Sequence, residues 1–162
     1  MNRTGAFDRV ALGATDVLVS RLAWGMWRFQ GDDLARARTL VDAALDTGIN
    51  LFDTADIYGF DGRDGFGDAE ILLGRLFAAD PGLRRKLVLA SKGGVVPGVP
   101  YDSSADYLVA ACEASLHRLG TDHLDLFQVH RPDVLTHPAE LARALETFVT
   151  SGKVRAVGVS NY

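Results

Sequence analysis

The chain has 162 residues, 48% of them hydrophobic and 23% charged, with a net charge of −4. That is enough chain to bury the core of one domain, and its acidic balance gives no pull toward nucleic acid or an anionic membrane surface. Cys112 is the only cysteine, which excludes an internal disulfide and fits a reducing cytoplasm. The start of the chain lacks the apolar run of a signal peptide, and no stretch approaches the roughly 18 apolar residues of a membrane span.

In chain order, Arg9–Leu12 and Val17–Ser20 flank a turn at 13–16 and predict a β-hairpin over about 8–20. Leu22–Trp24 is a short apolar strand ending at Gly25. Asp32 or Asp33 is placed to cap a helix whose apolar residues, Leu34, Ala37, Leu40, Val41, Ala44 and Leu45, recur at helical spacing up to Gly48. Ile49–Phe52 is the next strand. A glycine-rich loop, 59–67, then leads into a helix over 69–79. A third strand is predicted at Lys86–Ala90. Ser103 or Ser104 opens a helix that Gly120 stops. Leu124–Val129 is a fourth strand. Pro138 opens the next helix in the first-turn position where proline is tolerated, and Val154–Val159 is a fifth strand.

Strand and helix therefore alternate after the hairpin. The strand runs KLVLA, LDLFQV and VRAVGV are continuously apolar, as in parallel strands covered on both faces. A doubly wound open sheet and a (β/α)8 barrel both fit this order. The first strand-to-helix turn, WGMWRFQGDD, has no GxGxxG fingerprint.

Polar residues cluster at the strand ends. Asp53 and Tyr58 follow the second strand, Lys92 the third, His130 the fourth, and Ser160 and Asn161 the fifth. In either parallel architecture these ends gather at one face, where ligands bind. Singly, each has a plain structural explanation: Asp53 and Lys92 as an ion pair, Tyr58 as a loop tyrosine, His130 as a core histidine. Together, a carboxylate, a phenol, an ammonium and an imidazole at equivalent positions on successive strands describe a reactive site. His117, His123 and His137 have no such placement and read as helix or loop surface residues. No HxH or clustered carboxylate set suggests a metal. The glycines at 59, 62, 65 and 67 lack a following GKS or GKT and read as loop flexibility.

GINLFDTADIYGF with AEILLG, SKGG, SLHRLGTDHLDLFQVHRPD and GKVRAVGVSNY each resemble a signature segment of the aldo-keto reductase superfamily, and the resemblance covers the whole chain. It implies a (β/α)8 TIM barrel and an NADP(H)-dependent oxidoreductase acting on a small carbonyl substrate. Carried over residue by residue, it makes Tyr58 the general acid, Lys92 and Asp53 the pair that stabilises the phenolate, and His130 the group that orients the carbonyl oxygen. A free phenol, with a pKa of about 10, is a reluctant donor at neutral pH, so a neighbouring ammonium lowers the barrier. Ser160 and Asn161 would hold the nicotinamide carboxamide, with Gly25, Met26 and Asp53 also toward the cofactor. Trp27 would line the substrate pocket, with Trp24 in the core. The loop around 61–67 is longer than in many members.

A complete barrel of this kind runs to about 250 residues. The expectation is thus a single partial barrel domain over 1–162, with βα units over about 21–162, cut after strand five, and inactive by itself. Self-association through exposed strand edges is the partner expectation. The family also includes channel-associated regulatory members, so a non-catalytic nucleotide-binding subunit, or an inert fragment, is the alternative reading.

Overall fold

The computed structural model describes residues 8–162. The first two strands, β1 (Arg9–Ala11) and β2 (Leu18–Ser20), pair antiparallel as the predicted hairpin. A second sheet of five parallel strands follows the order β3 (Ala23–Gly25), β4 (Leu51–Asp53), β5 (Val88–Gly93), β8 (Leu124–Val129), β9 (Val154–Val159). Helices α1 (Leu34–Asp46), α2 (Asp68–Ala79), α3 (Ala105–Leu119) and α4 (Pro138–Thr150) alternate with these strands along the chain. Sequential parallel strands that stay spatial neighbours are the pattern of a (β/α) barrel, since a doubly wound sheet reverses direction midway.

The helices form where the sequence supplies starts and stops. Asp33 Oδ1 accepts from the Arg36 N–H at 2.9 Å and so caps α1. Ser104 Oγ does the same for α3 through the Tyr107 N–H at 3.4 Å, and Gly120 ends that helix in the left-handed conformation. The third parallel strand starts two residues later than predicted. Arg84–Lys86 form a 3-10 turn, so Lys92 lies inside β5 rather than beyond its end. A further hairpin was not anticipated from the sequence: β6 (Val95–Val96) pairs antiparallel with β7 (Val99–Tyr101).

Register assigns each side chain to a face, because successive residues of a strand point to opposite sides. Partners across the sheet put Leu51, Asp53, Val88, Ala90, Lys92, Leu126 and Ala156 on the concave side. Val17 and Val19 of the hairpin region pack against Val88 there, closing the end of the arc opposite the strand C-termini. Phe52, Leu89, Phe127 and Val129 point the other way, into the main core with Leu73, Leu76, Leu108, Cys112 and Phe148 from the helices. Strands β5 and β8 are buried on both faces almost throughout, as continuous apolar runs predict. Strand β9 departs from that expectation. Arg155, Val157 and Val159, alternate residues on one face of this edge strand, are exposed, while Val154 and Ala156 on the other face are buried.

One buried carboxylate ties the centre of the sheet together. Asp125 on β8 accepts the Leu89 N–H of β5 at 2.9 Å, and it pairs with Arg84 and with Arg155 of β9, each at 3.0 Å.

Candidate active site

The site forms where the strand C-termini meet the loops that follow them. Strand β4 ends at Asp53, and the loop after it is pinned to β5. The Thr54 N–H donates to the Ala90 carbonyl at 2.9 Å and the Asp56 N–H to the Lys92 carbonyl at 3.0 Å. This continuation of the ladder brings Tyr58 back over the end of β5. Lys92 Nζ there donates to Asp53 Oδ2 at 2.9 Å, to the Thr54 carbonyl at 2.9 Å and to Tyr58 Oη at 3.1 Å. All three ammonium hydrogens thus have acceptors, and Lys92 is only 4% exposed. A buried ammonium held this way is fixed in place, since moving it would strand a charge.

His130 follows β8, its N–H donating to the Gly93 carbonyl at 2.9 Å. Its ring lies edge-on to Tyr58, centroids 5.7 Å apart. Burial, reinforced by the positive charges of Lys92 and Arg131, lowers its pKa from 6.5 to about 4. The imidazole is therefore neutral at physiological pH and carries one N–H, which suits a hydrogen-bond donor to a carbonyl oxygen rather than a second acid. Its Nδ1 is enclosed without a partner among the described residues.

Asp53, Tyr58, Lys92 and His130, named from the sequence, are thus brought together. Ser160 and Asn161 arrive at the same face from the end of β9. The Ser160 N–H donates to the Val129 carbonyl at 2.8 Å, and Asn161, at φ 61°, donates its amide N–H to the His130 carbonyl at 3.0 Å and to Ser160 Oγ at 2.8 Å. Gly25 is exposed, with open space where a side chain would stand. Met26 is the correction. It was expected toward the cofactor, but it is fully buried in the main core, and its N–H donates to the Asp53 carbonyl at 2.9 Å. Enclosure leaves it no surface for a ligand. Of its neighbours, Trp24 packs edge-on to Phe29 and Phe52, while Trp27 is 69% exposed with its ring 5.5 Å from that of Tyr58.

A cleft of about 280 Å³ opens over Tyr58 and His130, walled by Trp27, Phe60, Tyr101 and Val95, with Gln30 and Arg131 supplying polar groups. A larger recess of about 470 Å³ lies at the opposite end of the arc among Asn50, Arg84, Asp125 and Arg155. Two of its guanidinium groups, on Arg84 and Arg155, are committed to Asp125, and the smaller cleft is the one that Tyr58 and His130 line. Of this lining, the sequence placed only Trp27, Tyr58 and His130 in a pocket. Tyr101 and Val95 enter on the β6–β7 hairpin, and VVPGVPY carried the signal, a Pro-Gly turn between valines. Gln30 and Arg131 had no signal.

The glycine loop also differs from its reading as a flexible tether. Gly59 has φ 102°, and a side chain there would meet Asp68 Cβ at 2.6 Å and the Gly65 carbonyl at 2.9 Å. These glycines let the loop fold tightly onto itself.

The strand order, with each parallel strand beside the next, is that of part of a (β/α) barrel. Residues 21–162 match the family model described as the aldo/keto reductase family, and the chain belongs to that family. It is 60% identical over 153 residues to the 6-dehydroglucose reductase of Novosphingobium aromaticivorans, covering 93% of this chain and 50% of that protein. It is 41% identical over 168 residues to the 6-dehydroglucose reductase of Agrobacterium fabrum, covering 96% and 54%. Among solved structures it is similar to an aldo-keto reductase from Bacillus halodurans in its holo form, with a TM-score of 0.80 at 32% identity, covering 96% of this chain and 50% of that one. It is likewise similar to a glycerol dehydrogenase from Gluconobacter oxydans, with a TM-score of 0.81 at 35% identity, covering 96% and 49%. The chain spans about half the length of the curated relatives it matches.

Proposed function

We propose that the whole protein reduces polar, carbohydrate-type aldehydes with NADP(H), Tyr58 acting as the proton donor. The observation that carries this reading is the single ammonium of Lys92 bridging Asp53 and Tyr58 beside a neutral His130. The names of the two 6-dehydroglucose reductases support the substrate class. So does a cleft that mixes aromatic walls with the hydrogen-bond donors Gln30 and Arg131, a combination suited to a small polyhydroxylated ligand.

The donor set fits a nicotinamide: a hydroxyl and a side-chain amide at Ser160 and Asn161 match a neutral carboxamide, and Gly25 leaves room for close approach. When bound, the reduced nicotinamide supplies a hydride to the carbonyl carbon. His130 holds the carbonyl oxygen through its one N–H. Tyr58 Oη gives that oxygen its proton, and Lys92 stabilises the phenolate left behind. Asp53 balances the ammonium, so the site gains only one net charge as the proton leaves. The single, buried Cys112 supports a cytoplasmic setting.

The test is consumption of NADPH and, separately, NADH by the full-length protein with 6-dehydroglucose, glyceraldehyde and an unsubstituted aldehyde of equal size. Preference for NADPH and for the hydroxylated aldehydes is expected. No turnover with any of them removes the proposal.

A further inference from the structure

Asp53, the last residue of β4, and Asp56, three residues on in the loop that leads to α2, go to opposite faces of the sheet. Asp53 points to the concave side and meets Lys92. Asp56 goes behind the end of β5, where its Oδ2 lies 3.4 Å from the position a Gly93 Cβ would take, in the layer where α3 packs through Ala111. It is 1% exposed, and neither of its side-chain oxygens has a partner among the described residues.

The charges around Asp56 explain why. Glu70 on α2 is fully buried and accepts Ser91 Oγ at 2.5 Å and Arg118 Nε at 2.7 Å. Arg118 spends a further donor on Ser115 Oγ at 3.1 Å. Lys92 on β5 has all its donors on the concave side. Tyr107 on α3 is a neutral phenol, pushed up to about 12 chiefly by burial. The two nearby cations thus have carboxylate partners in Glu70 and Asp53, and Asp56 is a third acid with none left. A lone buried carboxylate is costly, and such a group neutralises by keeping its proton. Burial, with the Glu70 charge second, raises the Asp56 carboxyl to about 8.

We propose that Asp56 is a positioning residue that stays protonated in the working protein, and that its ionisation loosens the Asp53–Tyr58 loop from β5 and so takes Tyr58 off Lys92. The link is short: the Asp56 N–H is itself the bond that holds this loop to the Lys92 carbonyl. Hydration of a new carboxylate at that point pulls on the segment ending in Tyr58, two residues on. This inference rests on Tyr58 being the proton donor.

Two measurements on the full-length protein test it. With aspartate labelled by carbon-13 at the side-chain carboxyl, one resonance absent from Asp56→Asn should stay at its protonated position near neutral pH and shift with a midpoint near 8. That readout needs no activity, so it stands even if the role of Tyr58 is wrong. Turnover supplies the second. One unit above the midpoint, wild type should keep about a tenth of its neutral-pH kcat, while Asp56→Asn, isosteric and permanently neutral, keeps more than half, with KM little changed in both. If that variant is poorly folded, the wild-type resonance is assigned by its absence from Asp56→Ser instead. A resonance already ionised at neutral pH overturns the proposal, as does a variant profile superimposing on wild type.

Discussion

Tyr58 Oη lies 3.1 Å from Lys92 Nζ, and the same ammonium sits 4.7 Å from the centre of the Tyr58 ring. The contact is made by one hydrogen-bonding donor and by the face of the ring at once, so the lysine constrains both the position and the tilt of the phenol.

In the full-length protein, Tyr58→Phe should lower kcat for carbonyl reduction by about 100-fold or more, the range of a lost general acid, and leave cofactor affinity nearly unchanged. Lys92→Met should cost a similar factor, since it removes the ammonium and leaves the Asp53 carboxylate unpaired. Steady-state kinetics with a fluorescence titration of NADPH separate the two effects. Near-normal turnover in the phenylalanine variant takes Tyr58 out of the mechanism.

His130 and Asp56 make opposite contributions to acid stability. The imidazole titrates near 4 in the folded chain and near 6.5 when unfolded. Between those values the unfolded state binds the extra proton, so this contribution is lost as pH falls through the window. The Asp56 carboxyl, raised from 3.8 to about 8, works the other way: the folded state holds the extra proton, and stability is lost as pH rises through that range. The two slopes oppose one another from about 4 to 6.5. Urea unfolding of His130→Gln across this window should show stability falling with rising pH. An unchanged profile would show that His130 is not held neutral by its surroundings.

Gly74 lies within α2 where that helix meets the end of α3. A Cβ there would collide with the Arg118 carbonyl and come within 3.1 Å of Leu119. The obstacle is backbone, which cannot rotate away. Gly74→Ala should therefore destabilise by about 1–3 kcal/mol, despite alanine's better helix propensity. Denaturant midpoints measure it. A stabilised variant would mean that the two helices separate easily.

The 162-residue chain by itself should bind NADPH weakly, reduce no aldehyde, and associate as its concentration rises. Among the described residues, the groups proposed to meet the cofactor are the strand-end set alone, and β9 presents an unpaired edge with Val157 and Val159 exposed. Such edges template pairing between chains. Light scattering and fluorescence titration report both properties. A well-behaved monomer that turns over NADPH contradicts this expectation.

Much of the fold was readable because Asp53, His130 and Ser160 stand at or just past the ends of β4, β8 and β9, and Gly48, Gly120 and Gly152 follow α1, α3 and α4. The placement of Asp53 and His130 followed from counting along strands, whereas Lys92, expected past the end of its strand, lies inside β5. The β6–β7 hairpin was not called because its strands are two and three residues long, too short for alternation to register. Asp56, Glu70 and Arg118 escaped for a different reason. Glu70 sits in an amphipathic run and looks like a solvated helix residue; only the packing of α2 against α3 turns it inward. Met26 looked like a neighbour of the ligand because it follows a strand end, yet the backbone turn after Gly25 folds it into the core.

Asp125 joins three strands through one carboxylate, and its consequence lies in how the molecule opens. Strands β5, β8 and β9 and the Arg84 turn share this hub, so none of them can leave without stranding a buried charge. They should form one cooperative unit in native-state hydrogen exchange, with amides in all three strands exchanging together and last. The β1–β2 hairpin gains little from its exposed Asp16–Arg155 contact at 3.3 Å. It is held by Val17 and Val19 against Val88 and by Asn50, which bonds Ser20 and Leu18, so its amides should exchange after those of the exposed loops and before those of the hub.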